Sequence, residues 1–117
     1  MTLKAKWTYV CALDSIVPNC GVCAKVGTAQ VAVFRLVSTQ GVDEGVFALD
    51  NYEPKSGANV LSRGLLGDVG GVTVVASPVY KNHYDLTTGQ CLEEENLSVA
   101  VYAVRVAEGQ VFVSANP

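Results

Sequence analysis

The sequence predicts an all-β fold in which antiparallel sheets form a sandwich or a partly open barrel, with a small loop subdomain inserted. Hydrophobic residues in the 117-residue chain recur with a period of two rather than 3.6, which is typical of strands. Glycine-containing turns separate runs rich in Val, Ala, Tyr and Phe. Some runs, such as Val-Ala-Val-Phe at 31–34, are apolar on both faces. A strand of this kind needs cover on both sides, which favours a sandwich or barrel over a one-sided sheet.

The individual strands follow from these runs. The clearest hairpin joins residues 104–107 to residues 110–113 through Glu108-Gly109, because glycine at the second turn position tolerates a positive φ. Other turns contain Gly27, Gly70-Gly71 and Gly89. We predict eight strands, near residues 6–12, 21–26, 31–37, 45–49, 72–76, 80–86, 98–106 and 110–114.

Residues 51–68 interrupt the strand pattern. They are polar and rich in turn-forming residues, with Pro54 and Gly57 followed by Val-Leu-Ser-Arg-Gly-Leu-Leu at 60–66. We interpret this stretch as a loop carrying one helical turn. Because no long helix, repeat or linker is visible, residues 1–117 are predicted to form a single domain.

Composition and charge restrict the possible partners. Half of the residues are hydrophobic, so the chain can bury a substantial core. The formal net charge is −3 and the eight basic residues are scattered, which disfavours nucleic acid and anionic membranes as partners. Residues 1–7 lack the apolar core of a signal peptide, and no apolar run approaches membrane-spanning length. We therefore expect a cytoplasmic protein whose four cysteines are thiols.

Four segments carry a resemblance to a known family. Residues 74–91 read VVASPVYKNHYDLTTGQC. They resemble the second cluster-binding loop of Rieske proteins, in which an apolar strand precedes Cys-Pro-x-His, an aromatic residue, Asp-Leu and a Thr-Gly turn. Residues 48–55 resemble the approach to the first loop, residues 61–65 the stretch after it, and residues 101–111 the terminal hairpin. The resemblance covers residues 6–113 and implies a Rieske-like fold with a degenerate cluster-binding region at about 50–85.

The positions of the cluster ligands are occupied by other residues. A Rieske cluster needs two thiolates on one iron and two imidazoles on the other. The resemblance places Glu53 and Lys55 at the cysteine and histidine of the first loop, and Ser77 and Tyr80 at those of the second. The chain contains one histidine, His83, so an iron with two imidazole ligands cannot be built. We expect no metal and no cofactor in this chain.

A Rieske-like chain without cluster ligands resembles the small subunit of the assimilatory NAD(P)H-dependent nitrite reductase. Residues 21–24, 60–65, 76–78 and 88–95 match what that family shows at these places. The resemblance implies a role in nitrate assimilation, as part of a complex that reduces nitrite to ammonium. It also implies a large partner subunit that holds FAD, a [4Fe–4S] cluster and sirohaem. This chain would then be an accessory or docking subunit with no catalytic residue of its own.

Two other functions stay open at this point. One is a Rieske-type [2Fe–2S] electron-transfer ferredoxin, which the single histidine argues against. The other is a stand-alone protein-binding module of Rieske-like shape. Without the resemblance, the residues indicate only an all-β domain that lacks an evident active site, and likeness of fold does not fix function.

The former cluster end of the domain is the candidate partner interface. One hypothesis is that this end still faces the large subunit. The alternative is that Glu53 and Lys55 are merely exposed while Tyr80 fills the space of the cluster. The candidate interface residues are Glu53, Lys55, Arg63, Ser77 and Tyr80.

Arg63 allows two further interpretations. A guanidinium group pairs well with small oxyanions, so Arg63 could bind an anion such as nitrite. An ion pair with Asp50, Glu53 or Asp68 is the favoured alternative. Neither GxGxxG nor a P-loop is present, so the chain is not expected to bind NAD(P)H or nucleotide phosphates itself.

Three other groups of reactive residues are expected to play ordinary structural roles. Cys20 and Cys23 form a CxxC motif, but Cys11 and Cys91 lack the paired spacing that would complete a zinc or iron–sulfur site, so core or turn thiols are favoured. His83 and Asp85 share a strand face, but no nucleophile motif accompanies them, so a surface or interface histidine is expected. The acidic run at 93–95 is interpreted as a solvated loop, with partner docking as the second possibility.

Overall fold

The computed structural model describes residues 6–114, and nearly all of its regular elements are strands. Two short 3₁₀ turns, Leu13–Ser15 and Leu61–Arg63, complete the regular structure of these residues. Within residues 6–114, no helix is long and apolar enough to cross a membrane. In chain order the strands are β1 (Trp7–Ala12), β2 (Gly21–Val26), β3 (Ala29–Val37), β4 (Asp43–Asp50), β5 (Tyr52–Glu53), β6 (Ala58–Asn59), β7 (Leu65–Val69), β8 (Val72–Ala76), β9 (His83–Asp85), β10 (Val101–Ala107) and β11 (Gln110–Ser114).

Six strands form the main sheet, which curls into a nearly closed barrel. Their order is β1-β11-β10-β4-β3-β2, and all neighbours are antiparallel. The segment between β4 and β10 forms a subdomain, which comprises the β5–β6 hairpin and the antiparallel sheet β7-β8-β9. The predicted all-β class, with a barrel-like sheet and an inserted small subdomain, is therefore confirmed.

The alternation of side chains along β3 explains why this strand is apolar on both faces. Val31 and Val33 point into the barrel and belong to one core cluster. Ala32 and Phe34 point outward and belong to a second cluster, which lies between the barrel wall and the subdomain and also contains Leu61. The wall formed by β3 and β4 thus has a hydrophobic core on each side.

The predicted strands agree with the structure, with one clear error. Each of the eight predicted ranges overlaps an observed strand, and 21–26, 72–76 and 110–114 match their bounds. The predicted helical turn exists at Leu61–Arg63, but the rest of that region is not a loop, because it contains β5, β6 and β7. The missed strand β7 pairs along its whole length with β8.

Gly64 lets the subdomain close tightly after the 3₁₀ turn. A methyl group built on its Cα would overlap the carbonyl oxygen of Ala76 and lie 2.7 Å from Val75 Cγ2. The segment that follows β6 therefore packs directly against the end of β8. This close approach brings together the two loops in which the candidate site residues lie.

Candidate functional site

A buried carboxylate, that of Glu53, joins the two loops of the subdomain. Its side chain has no exposed surface. Oε1 accepts hydrogen bonds from the Ser56 amide at 3.0 Å and from the Ser77 hydroxyl at 3.2 Å. Oε2 accepts hydrogen bonds from the Lys55 amide at 2.8 Å and from the Tyr84 hydroxyl at 2.5 Å. Each carboxylate oxygen thus receives one backbone donor from its own loop and one hydroxyl donor from the β8–β9 region.

The local sequence explains why these donors converge. Glu53 ends β5 and is followed by Pro54, after which the chain turns back into β6. This tight turn leaves the amides of Lys55 and Ser56 facing back toward the carboxylate. Tyr84 is the central residue of the short strand β9, where alternation directs it into the core. We call Glu53, Ser77 and Tyr84 the polar knot.

The hydrogen bonds keep the carboxylate of the polar knot ionised in spite of its burial. Burial by itself raises the pKa of Glu53, but the donors from Tyr84, Lys55 and Ser56 outweigh it and hold that pKa below its usual value. For Tyr84, burial and the adjacent carboxylate both raise the pKa well above the usual range. The knot therefore consists of an ionised glutamate and a neutral tyrosine at neutral pH.

A second contact between the two loops lies at the surface. Lys55 Nζ is 2.6 Å from Glu94 Oε2 and 5.8 Å from the centroid of the Tyr80 ring. The ion pair with Glu94 is the main cause of a raised pKa at Lys55, although its partial burial opposes this. Tyr80 itself is 56% exposed. The four positions matched to cluster ligands therefore form two contacting pairs, Glu53 with Ser77 inside and Lys55 with Tyr80 outside.

A basic cleft opens beside this contact. It has a volume of about 250 Å³, and both Arg63 and Lys81 line it. Neither side chain forms an ion pair with a carboxylate of residues 6–114. We call this feature the Arg63–Lys81 cleft.

Several expectations for the candidate interface require correction. Glu53 is not exposed, because it is buried under its four donors, and Ser77 is also completely buried. Tyr80 does not fill the space of a cluster, because the polar knot occupies the position between the loops and Tyr80 lies outside it. Lys55 is exposed, as that alternative expects, and Arg63 is also exposed. Glu53 and Ser77 therefore cannot touch a partner directly and act by holding the loops.

The prediction that Arg63 forms an ion pair within this chain is wrong. No ion pair joins Arg63 to Asp50, Glu53 or Asp68. Glu53 is unavailable because its oxygens face inward, and Asp68 instead accepts a hydrogen bond from the Gly71 amide in the β7–β8 turn. Arg63 is exposed and lines the cleft instead.

The acidic run is more than a solvated loop. Glu94 pairs with Lys55, and Glu93 accepts hydrogen bonds from the backbone and the ring of His83, both at 2.7 Å. His83 is half-buried and does not share a site with Asp85, which caps the turn at Thr87. Glu94 thus connects the segment after β9 to the former cluster end, and Glu93 connects the same segment to β9.

The cysteines do not assemble a site within the part of the chain that the structure describes. All four are free thiols. Cys91 is a core residue and Cys11 is half-buried, but Cys20 and Cys23 are exposed rather than core residues. No group of three or more His, Cys, Asp or Glu residues among 6–114 is arranged to hold a metal ion.

Sequence reasoning missed the residues that complete the site. Tyr84 is the largest fully buried side chain, and its hydroxyl both donates to Glu53 and accepts from Asn82 at 2.7 Å. Lys81 adopts a left-handed φ of 64°, which no motif indicated. One feature of the sequence could have indicated these residues. Glu53 lies close to a core strand, and a carboxylate in such a position needs several hydrogen-bond donors nearby.

The side chains at the ligand positions do not fit a Rieske cluster. A glutamate that accepts bonds from four donors and a serine bonded to it are the residues that the resemblance matches to the thiolate ligands. The other two positions hold a lysine in an ion pair and an exposed tyrosine. The single histidine is engaged with Glu93.

Comparisons with known proteins agree with this architecture. A family model described as a Rieske-like [2Fe-2S] domain matches residues 6–114. The nitrite reductase (NADH) small subunit of Escherichia coli K12 is 41% identical over 107 residues, which is 92% of this chain and 95% of that protein. A crystal structure described as an NADH-dependent nitrite reductase small subunit from Mycobacterium tuberculosis superposes with a TM-score of 0.88 at 40% identity, covering 97% of this chain and 98% of that chain.

A much longer protein contains a similar segment. The nitrite reductase [NAD(P)H] large subunit of Klebsiella oxytoca is 43% identical to this chain over 107 residues. The match covers 92% of this chain but only 11% of that protein. A counterpart of this whole domain is therefore part of the large-subunit polypeptide in that relative.

Proposed function

Because the chain belongs to the Rieske-like family of nitrite reductase small subunits, we propose that it is the small subunit of an NAD(P)H-dependent nitrite reductase. In this role it supports a complex that reduces nitrite to ammonium in the cytoplasm during nitrate assimilation. The observation that carries the proposal is the nearly end-to-end match with a small subunit, 92% of this chain against 95% of the relative. Likeness at this level extends beyond fold, because both chains share sequence along their whole domain.

The partner in this proposal is the large subunit. The counterpart of this domain within the Klebsiella large subunit supports it, because domains joined in one polypeptide in one protein commonly act together when they are separate chains. The redox centres, FAD, a [4Fe–4S] cluster and sirohaem, would belong to the large subunit. The small subunit would contribute association and not electron transfer.

We further propose that this chain contains no cofactor. The support is chemical, because Glu53 is bonded to Ser77 and Tyr84, and Lys55 is in an ion pair with Glu94. The proposal separates this chain from a Rieske ferredoxin, which must exchange electrons through its own cluster.

The contact surface in this proposal is the former cluster end. Lys55, Arg63 and Tyr80 face outward there, while Glu53 and Ser77 lie beneath them and fix the two loops. Exposed aromatic and arginine side chains are enriched at protein interfaces, which supports this end as the docking surface.

Anaerobic purification from the native host tests the main proposal. A tagged copy of the chain is expected to bring down a large subunit whose absorption spectrum shows flavin and sirohaem. The isolated chain is expected to hold no stoichiometric iron or sulfide. A Rieske-type spectrum of the isolated chain would support the ferredoxin, and a chain that never co-purifies with such a partner would support a stand-alone module.

The docking surface is tested with Tyr80→Ala. We expect weaker association with the large subunit and lower nitrite turnover, because the substitution removes an exposed aromatic ring from the contact. Tyr9→Ala is the matched control, since Tyr9 lies on β1 of the barrel and is 55% exposed. Association can be measured by isothermal titration calorimetry. Unchanged binding and turnover in a folded Tyr80→Ala variant would remove this end from the interface.

A further inference from the structure

The charge distribution of the former cluster end is unusual for this acidic chain. Arg35 pairs with Asp43 at 2.8 Å, and Lys55 pairs with Glu94. Arg63 and Lys81 have no carboxylate partner among residues 6–114, yet both line the same cleft. Lys6, Lys25 and Arg105 also lack an ion pair among these residues, so the distinguishing feature is the shared cleft. The cleft that Lys25 lines contains no second cation.

The backbone places both residues on the lining of the same cleft. Arg63 ends a 3₁₀ turn and is followed by Gly64, which packs directly against Ala76 at the end of β8. Lys81 closes the next turn in a left-handed conformation, with its amide bonded to the Ser77 carbonyl at 3.1 Å. Two cations that line one cleft without a carboxylate partner give it a positive potential, which attracts an anion. The arrangement is therefore complementary to a carboxylate.

The rim of the cleft is apolar. Leu65, which lines the cleft, is 76% exposed, and Val79 and Tyr80 are about half exposed in the adjacent turn. Aliphatic and aromatic side chains around a charged pair are characteristic of protein interfaces, where the apolar ring excludes water from the polar contact. A free small anion would make no use of this rim, whereas a carboxylate side chain on a protein surface would.

We propose that an aspartate or glutamate side chain of the large subunit enters the Arg63–Lys81 cleft and pairs with both cations, while apolar neighbours of that residue cover Leu65, Val79 and Tyr80. The proposal rests on the proposed function, because it names how the same partner is held. It makes Arg63 and Lys81 the anchoring charges of the complex. The negative charge of the rest of the chain would orient this positive end toward an acidic patch as the subunits meet.

Neutralising variants test the anchor quantitatively. The complex of full-length small and large subunits is formed with Arg63→Gln, Lys81→Gln or both, and the dissociation constant is measured at low and at high salt. We expect each single variant to weaken binding by about tenfold at low salt and by less at high salt. Lys25→Gln and Arg105→Gln are matched controls at exposed cations outside the cleft, and we expect changes of at most about twofold.

The outcomes separate this inference from the proposed function. If wild-type small subunit does not bind the large subunit, the proposed function fails. If wild type binds and the cleft variants bind as tightly as the controls, only the inference fails. Circular dichroism and the unfolding midpoint of each variant establish that a loss of binding reflects the missing charge and not misfolding.

Carbodiimide cross-linking identifies the partner group directly. The reagent joins a lysine amine to a carboxylate only when the two are close enough to form an ion pair. In the wild-type complex we expect mass spectrometry to find an amide between Lys81 and an acidic residue of the large subunit. Lys81→Arg keeps the charge but cannot form this amide, so it should bind normally and lose the cross-link. A normally assembled wild-type complex without a cross-link at Lys81 would overturn the inference.

Discussion

Glu53 is a carboxylate with no exposed surface and no ion pair among the described residues, and its charge is balanced by four hydrogen-bond donors. Two of these donors are backbone amides, whose N–H groups can donate a hydrogen bond but cannot accept one. The two hydroxyl donors come from the β8–β9 region, at positions 24 and 31 residues away in sequence. Through these hydrogen bonds, a single side chain cross-links the two loops.

Replacing Glu53 with glutamine is predicted to destabilise the fold despite the similar shape. Each carboxylate oxygen accepts one backbone N–H, so either orientation of the amide places its NH₂ group against a donor. A buried donor left without an acceptor costs about 1–3 kcal/mol. Chemical denaturation should show a loss of this size, whereas Glu108→Gln, in the exposed β10–β11 turn, should have little effect. Equal stability of Glu53→Gln and wild type would contradict the role of the knot.

The stabilising effect of Glu53 is predicted to depend on pH in a defined direction. Its folded-state pKa lies below the ordinary value of 4.5, because the hydrogen bonds outweigh the effect of burial. The ionised form therefore stabilises the fold above the unfolded pKa, and this contribution is lost as the pH falls through the folded pKa. The difference in unfolding free energy between wild type and Glu53→Gln should shrink on acidification. A difference that is constant from neutral pH to well below 4.5 would contradict the assignment of an ionised Glu53.

Among the elements, the strands of the barrel and the subdomain strands β8 and β9 were predictable, whereas β5, β6 and β7 were not. The β10–β11 hairpin could be predicted because alternation and a glycine turn agree, and Glu108 and Gly109 both adopt the positive φ that such a turn requires. Strand β7 was missed because Gly67 and Asp68 lie within it and most of its side chains are exposed. Its pairing comes from the neighbouring β8 and not from its own pattern.

The candidate site could also be predicted only in part, because some of its features depend on contacts between distant parts of the chain. The exposure of Lys55 and Arg63 is what their residue types favour, whereas the exposure of Tyr80 was one of two open alternatives. The burial of Glu53 could not be predicted, since it depends on Tyr84, a contact between distant parts of the chain. The cleft could not be predicted either, because Arg63 and Lys81 are brought together by the packing of Gly64 against β8.

Gly64→Ala is predicted to disturb the junction of the two loops. An added methyl group would overlap the Ala76 carbonyl oxygen and crowd Val75, and backbone on both sides restricts relaxation. Overpacking of this kind costs about 1–3 kcal/mol. Gly67→Ala is the matched control, because a methyl group there has no neighbour within 4 Å. Thermal unfolding should show a lower midpoint for Gly64→Ala than for the control, and equal midpoints would contradict the close packing.

At the scale of the whole molecule, the barrel and the subdomain share a wall. Strands β3 and β4 present Val33 and Ala48 to the core inside the barrel, and Phe34 and Leu49 to the core under the subdomain. If β3 and β4 unfold, both cores are exposed to water. Residues 6–114 should therefore behave as one cooperative unit.

Equilibrium unfolding is predicted to give the same midpoint for both cores. The methyl signals of Val113 report on the barrel, and those of Val75 report on the core under the subdomain. Followed by NMR through a urea titration, the two sets should disappear together, as expected for a two-state transition. Loss of the Val75 signals at a clearly lower urea concentration would show that the subdomain unfolds separately.

The polar knot has a consequence for how this protein is made in the cell. Loops that are closed by a glutamate, a serine and a tyrosine are complete once the polypeptide folds, whereas loops closed by a metal cluster must wait for iron delivery and cluster biogenesis. Maturation of this chain should therefore proceed at the same rate in iron-starved or oxidatively stressed cells as in unstressed, iron-replete cells.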